Sequence, residues 1–96
     1  MQREPCVYIL ANRKNGTLHV GVTSNLSVRV RQHRAQPQPG FNARYAAHRL
    51  VWFETHESMD TAILREKQLN AENRNRKLDL INDLNPEWAD LYTTLP

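Results

Sequence analysis

The dipeptide Asn15-Gly16 constrains this chain more than any other feature. It separates two runs rich in β-branched and aromatic residues, Pro5-Cys-Val-Tyr-Ile-Leu-Ala11 and Thr17-Leu-His-Val-Gly-Val-Thr23. Both turn residues tolerate positive φ, so the pattern reads as a β-hairpin. With Asn15-Gly16 as a two-residue loop, Lys14 pairs with Thr17. Even positions of the first strand then share a face with odd positions of the second. Tyr8 stands on the same face as His19 and Gly21. A three-residue loop would break this match.

The remaining punctuation gives the order of elements. Thr23-Ser24-Asn25 can cap a helix from about Leu26 to Arg34. Gln36-Pro-Gln-Pro-Gly40 breaks it, and 41–48 has room for a short helical turn. Leu50-Val-Trp-Phe-Glu54 reads as a third strand, apolar throughout and therefore central or covered on both faces. Ser58 caps a helix from Met59 to about Asn70, and a further helix is expected in 72–83. Asn85-Pro86-Glu87 reads as the opening of a last short helix. The expected fold is a small α/β single domain over 1–96, in β-β-α-β-α-α order. A three-stranded antiparallel sheet is flanked by helices, with an ordered core over about 4–91 and a short C-terminal tail.

Composition limits the function classes. The 96 residues are 40% hydrophobic and 24% charged, which suits one globular domain rather than a disordered chain. No apolar run approaches the roughly 20 residues of a membrane-spanning helix, so no membrane role is expected. Met1–Pro5 has no apolar core of signal-peptide length. The single Cys6 excludes an internal disulfide framework, and with four scattered histidines it gives no zinc cluster. A reducing cytoplasm is the expected location. Charge is divided unequally: residues 1–49 carry eight Lys/Arg against one acid, and residues 50–96 carry five against nine. A basic half facing an acidic half indicates an anionic partner, with nucleic acid the first candidate and ordinary solvated charge the alternative.

Polar residues stand on stripes that should be apolar. In the first helix Leu26 and Val30 mark the inward side, and Arg29 and His33 fall on or beside it, one turn apart. In the second, Met59, Ala62, Ile63 and Leu69 form an apolar arc with Glu66 in its middle. A carboxylate there must be paired, protonated or metal-bound. One account makes Glu66 and Arg29 a structural ion pair and His33 a hydrogen-bonded core histidine. The other makes them one site: an arginine for phosphate, a histidine for proton movement, a carboxylate for Mg²⁺. With Tyr8 and His19 on the hairpin face, these are parts for phosphodiester hydrolysis.

These residues resemble the GIY-YIG nucleases. Cys6-Val7-Tyr8 stands where the GIY triplet is expected, and His19-Val20-Gly21 where the YIG triplet is expected. The run from Gly21 to His33 resembles the family's G-x-T-x-x-L-x-x-R-x-x-x-H helix. Phe41, Tyr45, Leu50–Glu54, Arg65–Leu69 and Asn85-Pro86-x-Trp88 are similar to the short stand-alone branch of that family. His19 stands in place of the usual tyrosine and Cys6 in place of glycine.

The resemblance implies a metal-dependent endonuclease, a hydrolase acting on DNA more than RNA, with one Mg²⁺ or Mn²⁺ ion. It implies that Tyr8 acts on the attacking water or orients the phosphate. Arg29 stabilises the developing charge, His33 is a proton-transfer partner, and Glu66 holds the metal. His19 takes the place of the second-motif tyrosine. Gly21, Arg31, Arg34, Tyr45 and Asn85 complete the expected substrate contacts, with a plain helix cap as the other reading of Asn85. Tyr8, His19, Arg29, His33 and Glu66 are expected to line one cleft. A second function stands beside this one: a catalytically weakened nucleic-acid-binding module of the same fold, serving a repair or recombination assembly. His19 favours it; Arg29, His33 and Glu66 oppose it.

Overall fold

Every residue of the first strand, β1 (Cys6–Ala11), is buried, which makes it the centre of the molecule. The computed structural model describes residues 4–35 and 49–95. The breaker and helical turn expected within 36–48, and Tyr45 with them, lie outside the described residues. After β1 come β2 (Leu18–Thr23), α1 (Leu26–Ala35), β3 (Arg49–Thr55), α2 (Met59–Ala71), α3 (Arg74–Leu84) and a 3-10 turn, Leu91–Thr94. The sheet is antiparallel in the order β2-β1-β3.

Side chains alternate along β1, so the sheet carries two cores. Val7, Ile9 and Ala11 join Val20, Ala62, Leu69, Ile81 and Trp88. Cys6, Tyr8 and Leu10 join Leu26, Val30 and Leu50. The periodicity that places Leu26 and Val30 inward therefore lays α1 on the Tyr8 face. The caps follow the sequence: Asn25 Oδ1 accepts from Val28 N at 3.3 Å, and Ser58 Oγ accepts from Thr61 N at 3.2 Å.

The hairpin closes through four residues, 13–16, rather than two. Ala11 pairs with Leu18, Leu10 with His19 and Tyr8 with Gly21. Asn12 N donates to Thr17 O at 3.3 Å, and Gly16 N donates to Arg13 O at 3.0 Å. Asn15 takes the positive φ, 60°. Gly16 is needed for space, since a Cβ there would lie 2.0 Å from Asn12 Oδ1. That oxygen accepts from Thr17 N at 2.9 Å and closes the loop. The pairing slips by two residues from the expected register. An even slip leaves every side chain on its own face, so Tyr8, His19 and Gly21 still share one.

Of the two readings of the third strand, covered on both faces is the one observed: β3 is an edge, and β1 is central. A bulge puts Ile9 opposite Trp52 and Leu10 opposite Leu50, leaving Val51 without a partner on β1. Asn85 Nδ2 donates to Val51 O at 3.1 Å and so satisfies the carbonyl that the bulge frees. Asp90 Oδ1 accepts from Leu50 N at 3.2 Å on the same edge. The residues after α3 thus close the open side of β3, which would otherwise expose unpaired backbone groups.

The expected helix opening at Asn85 is corrected. Asn85 ends α3 as its C-cap, and Asp90 caps the 3-10 turn, accepting from Tyr92 N at 3.1 Å. The Asn85 Oδ1 accepts from Ala89 N, four residues on, and not from the second or third N–H of a new helix.

Candidate active site

Tyr8 is 1% exposed, and its ring lies across Gly21 on the neighbouring strand. The pairing puts His19 two residues along β2 from Gly21, on the same face, so the two rings meet at 6.3 Å between centroids, edge to face. His33, from the last turn of α1, completes a triangle: 6.2 Å from Tyr8 and 5.2 Å from His19. The Tyr8 hydroxyl lies 3.4 Å from His33 Nε2. Arg29, one turn before His33, lies close enough for its charge to act on the same phenol.

Burial raises the Tyr8 phenol above its ordinary value of 10.0, and Arg29 opposes that rise. Burial holds the His33 imidazole below 6.5, with His19 and then Arg29 adding to the effect. His19 is also held below 6.5, first by desolvation against its neighbours; the Glu66 carboxylate opposes this and Arg29 reinforces it. At neutral pH the site therefore holds a protonated phenol and two neutral imidazoles.

Glu66 is half-buried on α2, one turn after the buried Ala62. Its field reaches both Tyr8 and His19. Its Oε2 accepts a short hydrogen bond from Asn70 Nδ2. Among the described residues, Glu66 and Arg29 do not form an ion pair. The structural account of these two residues is thereby set aside, and the carboxylate keeps an oxygen for another ligand.

The GIY-YIG catalytic domain model matches residues 4–79. The chain belongs to the GIY-YIG family. No curated protein and no solved structure matches it. The three-stranded antiparallel sheet with its helices is consistent with the GIY-YIG fold, and membership implies nuclease-type chemistry on nucleic acid in general.

Against the GIY-YIG pattern, Cys6 takes the place of a glycine and is buried beside Tyr8 in the α1-side core. Burial, with help from Glu4, pushes its thiol up to about 11, so it is a packing residue rather than a nucleophile. The matched stretch ends before Asn85. Asn85 is buried, its amide donates to Val51 O and Ala89 O, and its Oδ1 accepts from Ala89 N. That side chain holds the fold, and none of these bonds joins it to the Tyr8 group.

Arg31 is exposed on α1. Arg34 is bound elsewhere: it pairs with Asp90, and its guanidinium lies 4.4 Å from the centre of the Tyr92 ring. It ties α1 to the 3-10 turn, a link between residues 56 apart for which no local sequence pattern exists. Arg74 escaped the sequence reading for the same reason. It donates to Asn15 O and Gly16 O at 2.9 and 2.7 Å and clamps the hairpin turn.

Proposed function

We propose that this protein is a metal-dependent endonuclease hydrolysing phosphodiester bonds in DNA. The observation that carries the reading is the convergence of Tyr8, His19 and His33 in one triangle, with Arg29 on the phenol and the Glu66 field reaching the same groups. A packed core has no use for two neutral imidazoles and a cation around one buried hydroxyl. A phosphodiester site uses all of them. The arginine stabilises charge that develops on the phosphate, and an imidazole moves the proton of the attacking water.

A divalent cation fits the donors present. Among the described residues no group of three His, Cys, Asp or Glu can cage a metal. Mg²⁺ needs no such cage: it keeps several waters and is held by one or two carboxylates plus substrate phosphate. Glu66 is the residue that would hold it. A bound ion would supply charge neutralisation at the phosphate and leaving oxygen. The exposed Arg29 and Arg31 of α1 support backbone contact without sequence readout.

One observation favours a second reading, a binding module with weakened catalysis: His19 replaces a tyrosine. The test incubates the purified protein with single-stranded, duplex and branched DNA, and with matching RNA. Each arm is run with Mg²⁺ or Mn²⁺ and with chelator. Cleavage of DNA that needs the cation is the expected result. Binding without cleavage in every arm establishes the module reading, and preferential cleavage of RNA overturns the substrate assignment.

A further inference from the structure

Basic side chains from two distant parts of the chain meet at the hairpin end of the sheet. Arg13 and Lys14 stand in the turn, both exposed. Arg74, Arg76 and Lys77 open α3. They meet because Arg74 Nη2 donates to Asn15 O and Gly16 O, fastening the start of the helix to the turn. Across the two stretches 12–17 and 72–77 the only acid is Glu72, and it pairs with Arg76 at 3.3 Å. Among the described residues no ion pair involves Arg13, Lys14 or Lys77. The depression between turn and helix is lined by Asn12, Arg13, Asn15, Gly16, Thr17 and Arg74, with no apolar side chain among them.

Arg74 and Arg76 have partners within the fold. Arg13, Lys14 and Lys77 bring only repulsion to it. Like charges crowd one corner, and Lys77 stands near the positive end of a helix whose first turn has no acid. A polyanion turns that cost into attraction.

Two elements lead from the Tyr8 group to this corner. On β2, His19 is three residues after Gly16, a span of at most about 11 Å. On α2, Glu66 is five residues before the helix ends at Ala71, about 8 Å of rise, and Arg74 follows three residues later. Asn70 lies on that path and donates to Glu66 Oε2.

We infer that the corner formed by the hairpin turn and the start of α3 is a second nucleic-acid contact, holding the sugar–phosphate backbone a few nucleotides from the Tyr8 group. Its placement relative to the cut rests on the nuclease reading above. Charge complementarity and the polar lining name the occupant. Phosphates of one strand advance about 3.4 Å along a duplex, so a span of about 11 Å is about three nucleotides. Contact through Arg13, Lys14 and Lys77 positions the backbone and reads no bases. It is separate from the contact expected of Arg31, since α1 packs on the Tyr8 face of the sheet and α3 on the Val7 face.

The test measures binding to duplex DNA across a range of salt, with chelator present, for the parent, the double variant Arg13→Gln with Lys14→Gln, and Lys77→Gln. The log–log salt slope should become shallower by about 1.8 in the double variant and by about 0.9 in Lys77→Gln, one contact for each charge. Melting should hold, and the loss should be equal for unrelated sequences. Neutral methylphosphonate linkages are then placed one at a time along the duplex. Those about three nucleotides from the cleaved bond should weaken the parent and leave the double variant indifferent. Equal salt slopes for the parent and both variants overturn the inference, whether or not the parent cleaves. A parent that shows the slope difference and cleaves nothing with either cation overturns the nuclease reading and leaves this contact standing. A parent that binds no nucleic acid overturns both.

Discussion

The Tyr8 ring fills the space in which any side chain at Gly21 would stand. A Cβ at Gly21 would lie 2.4 Å from both Cζ and Oη of that ring, closer than atoms can pack. The glycine is required here by its neighbour across the strand, with no special backbone angle involved. Gly21→Ala should cost about 1–3 kcal/mol in thermal unfolding, the usual range for overpacking. Tyr8→Ala combined with it should be less damaging than the sum of the two single changes, because the clash is shared. Additive losses would show that the two positions do not compete for one volume.

Glu66→Gln separates chemistry from architecture. No ion pair joins Glu66 to Arg29, so neutralising the carboxylate strands no charge. Melting should stay within about 1 kcal/mol of the parent. Cleavage should be abolished and DNA binding retained. A loss of about 3–5 kcal/mol would be the mark of a broken buried pair.

Asn85→Ala should act on stability. It removes the partners of Val51 O and Ala89 O in a buried place, at a cost of about 3 kcal/mol, the upper end for unsatisfied buried groups. Urea unfolding measures it. If the variant melts like the parent and only cleavage is lost, Asn85 serves the site and not the fold.

The two site histidines make stability depend on pH. Both are held below 6.5 in the fold, chiefly by desolvation, so the unfolded chain binds protons more readily. Stability is therefore complete above pH 6.5 and declines as the pH falls towards the folded values. Melting temperature should drop between about pH 7 and 5, and His33→Gln should flatten that slope. An unchanged slope in the variant would place the effect elsewhere.

Arg31 and Arg34 should part company in binding experiments. Arg31→Ala should leave melting unchanged and reduce the log–log salt dependence of duplex binding by about 0.9, one phosphate contact. Arg34→Ala should lower melting, because it releases Asp90 and Tyr92. Equal salt slopes for the parent and Arg31→Ala would remove Arg31 from the DNA surface.

What could be read in the sequence was local and periodic. Ser58 before Met59, the Leu26–Val30 stripe and the odd–even match of Tyr8 with His19 each depend on neighbours a few residues away. The register of the hairpin escaped because Asn12 folds over Gly16 and lengthens the loop, and the face assignment survived only because the slip was even. The third strand showed that an apolar run reports coverage, not centrality. Asn85 was misplaced because the group that claims it, the Val51 carbonyl, is freed by a bulge 34 residues earlier. The ties of Arg34 to Asp90 and of Arg74 to the turn are of the same kind. Long-range polar contacts leave no period to detect.

The clasp of residues 85–90 over the β3 bulge has a consequence for modularity. The stretch that carries the family signature stops at residue 79, yet the core also contains Ile81 and Trp88. A transplant cut at the end of the signature would carry Tyr8, His19, Arg29, His33 and Glu66 and leave behind the fastening for the strand beneath them. In this molecule the family signature and the closure of its scaffold are written in different stretches of chain, and the second begins where the first has ended.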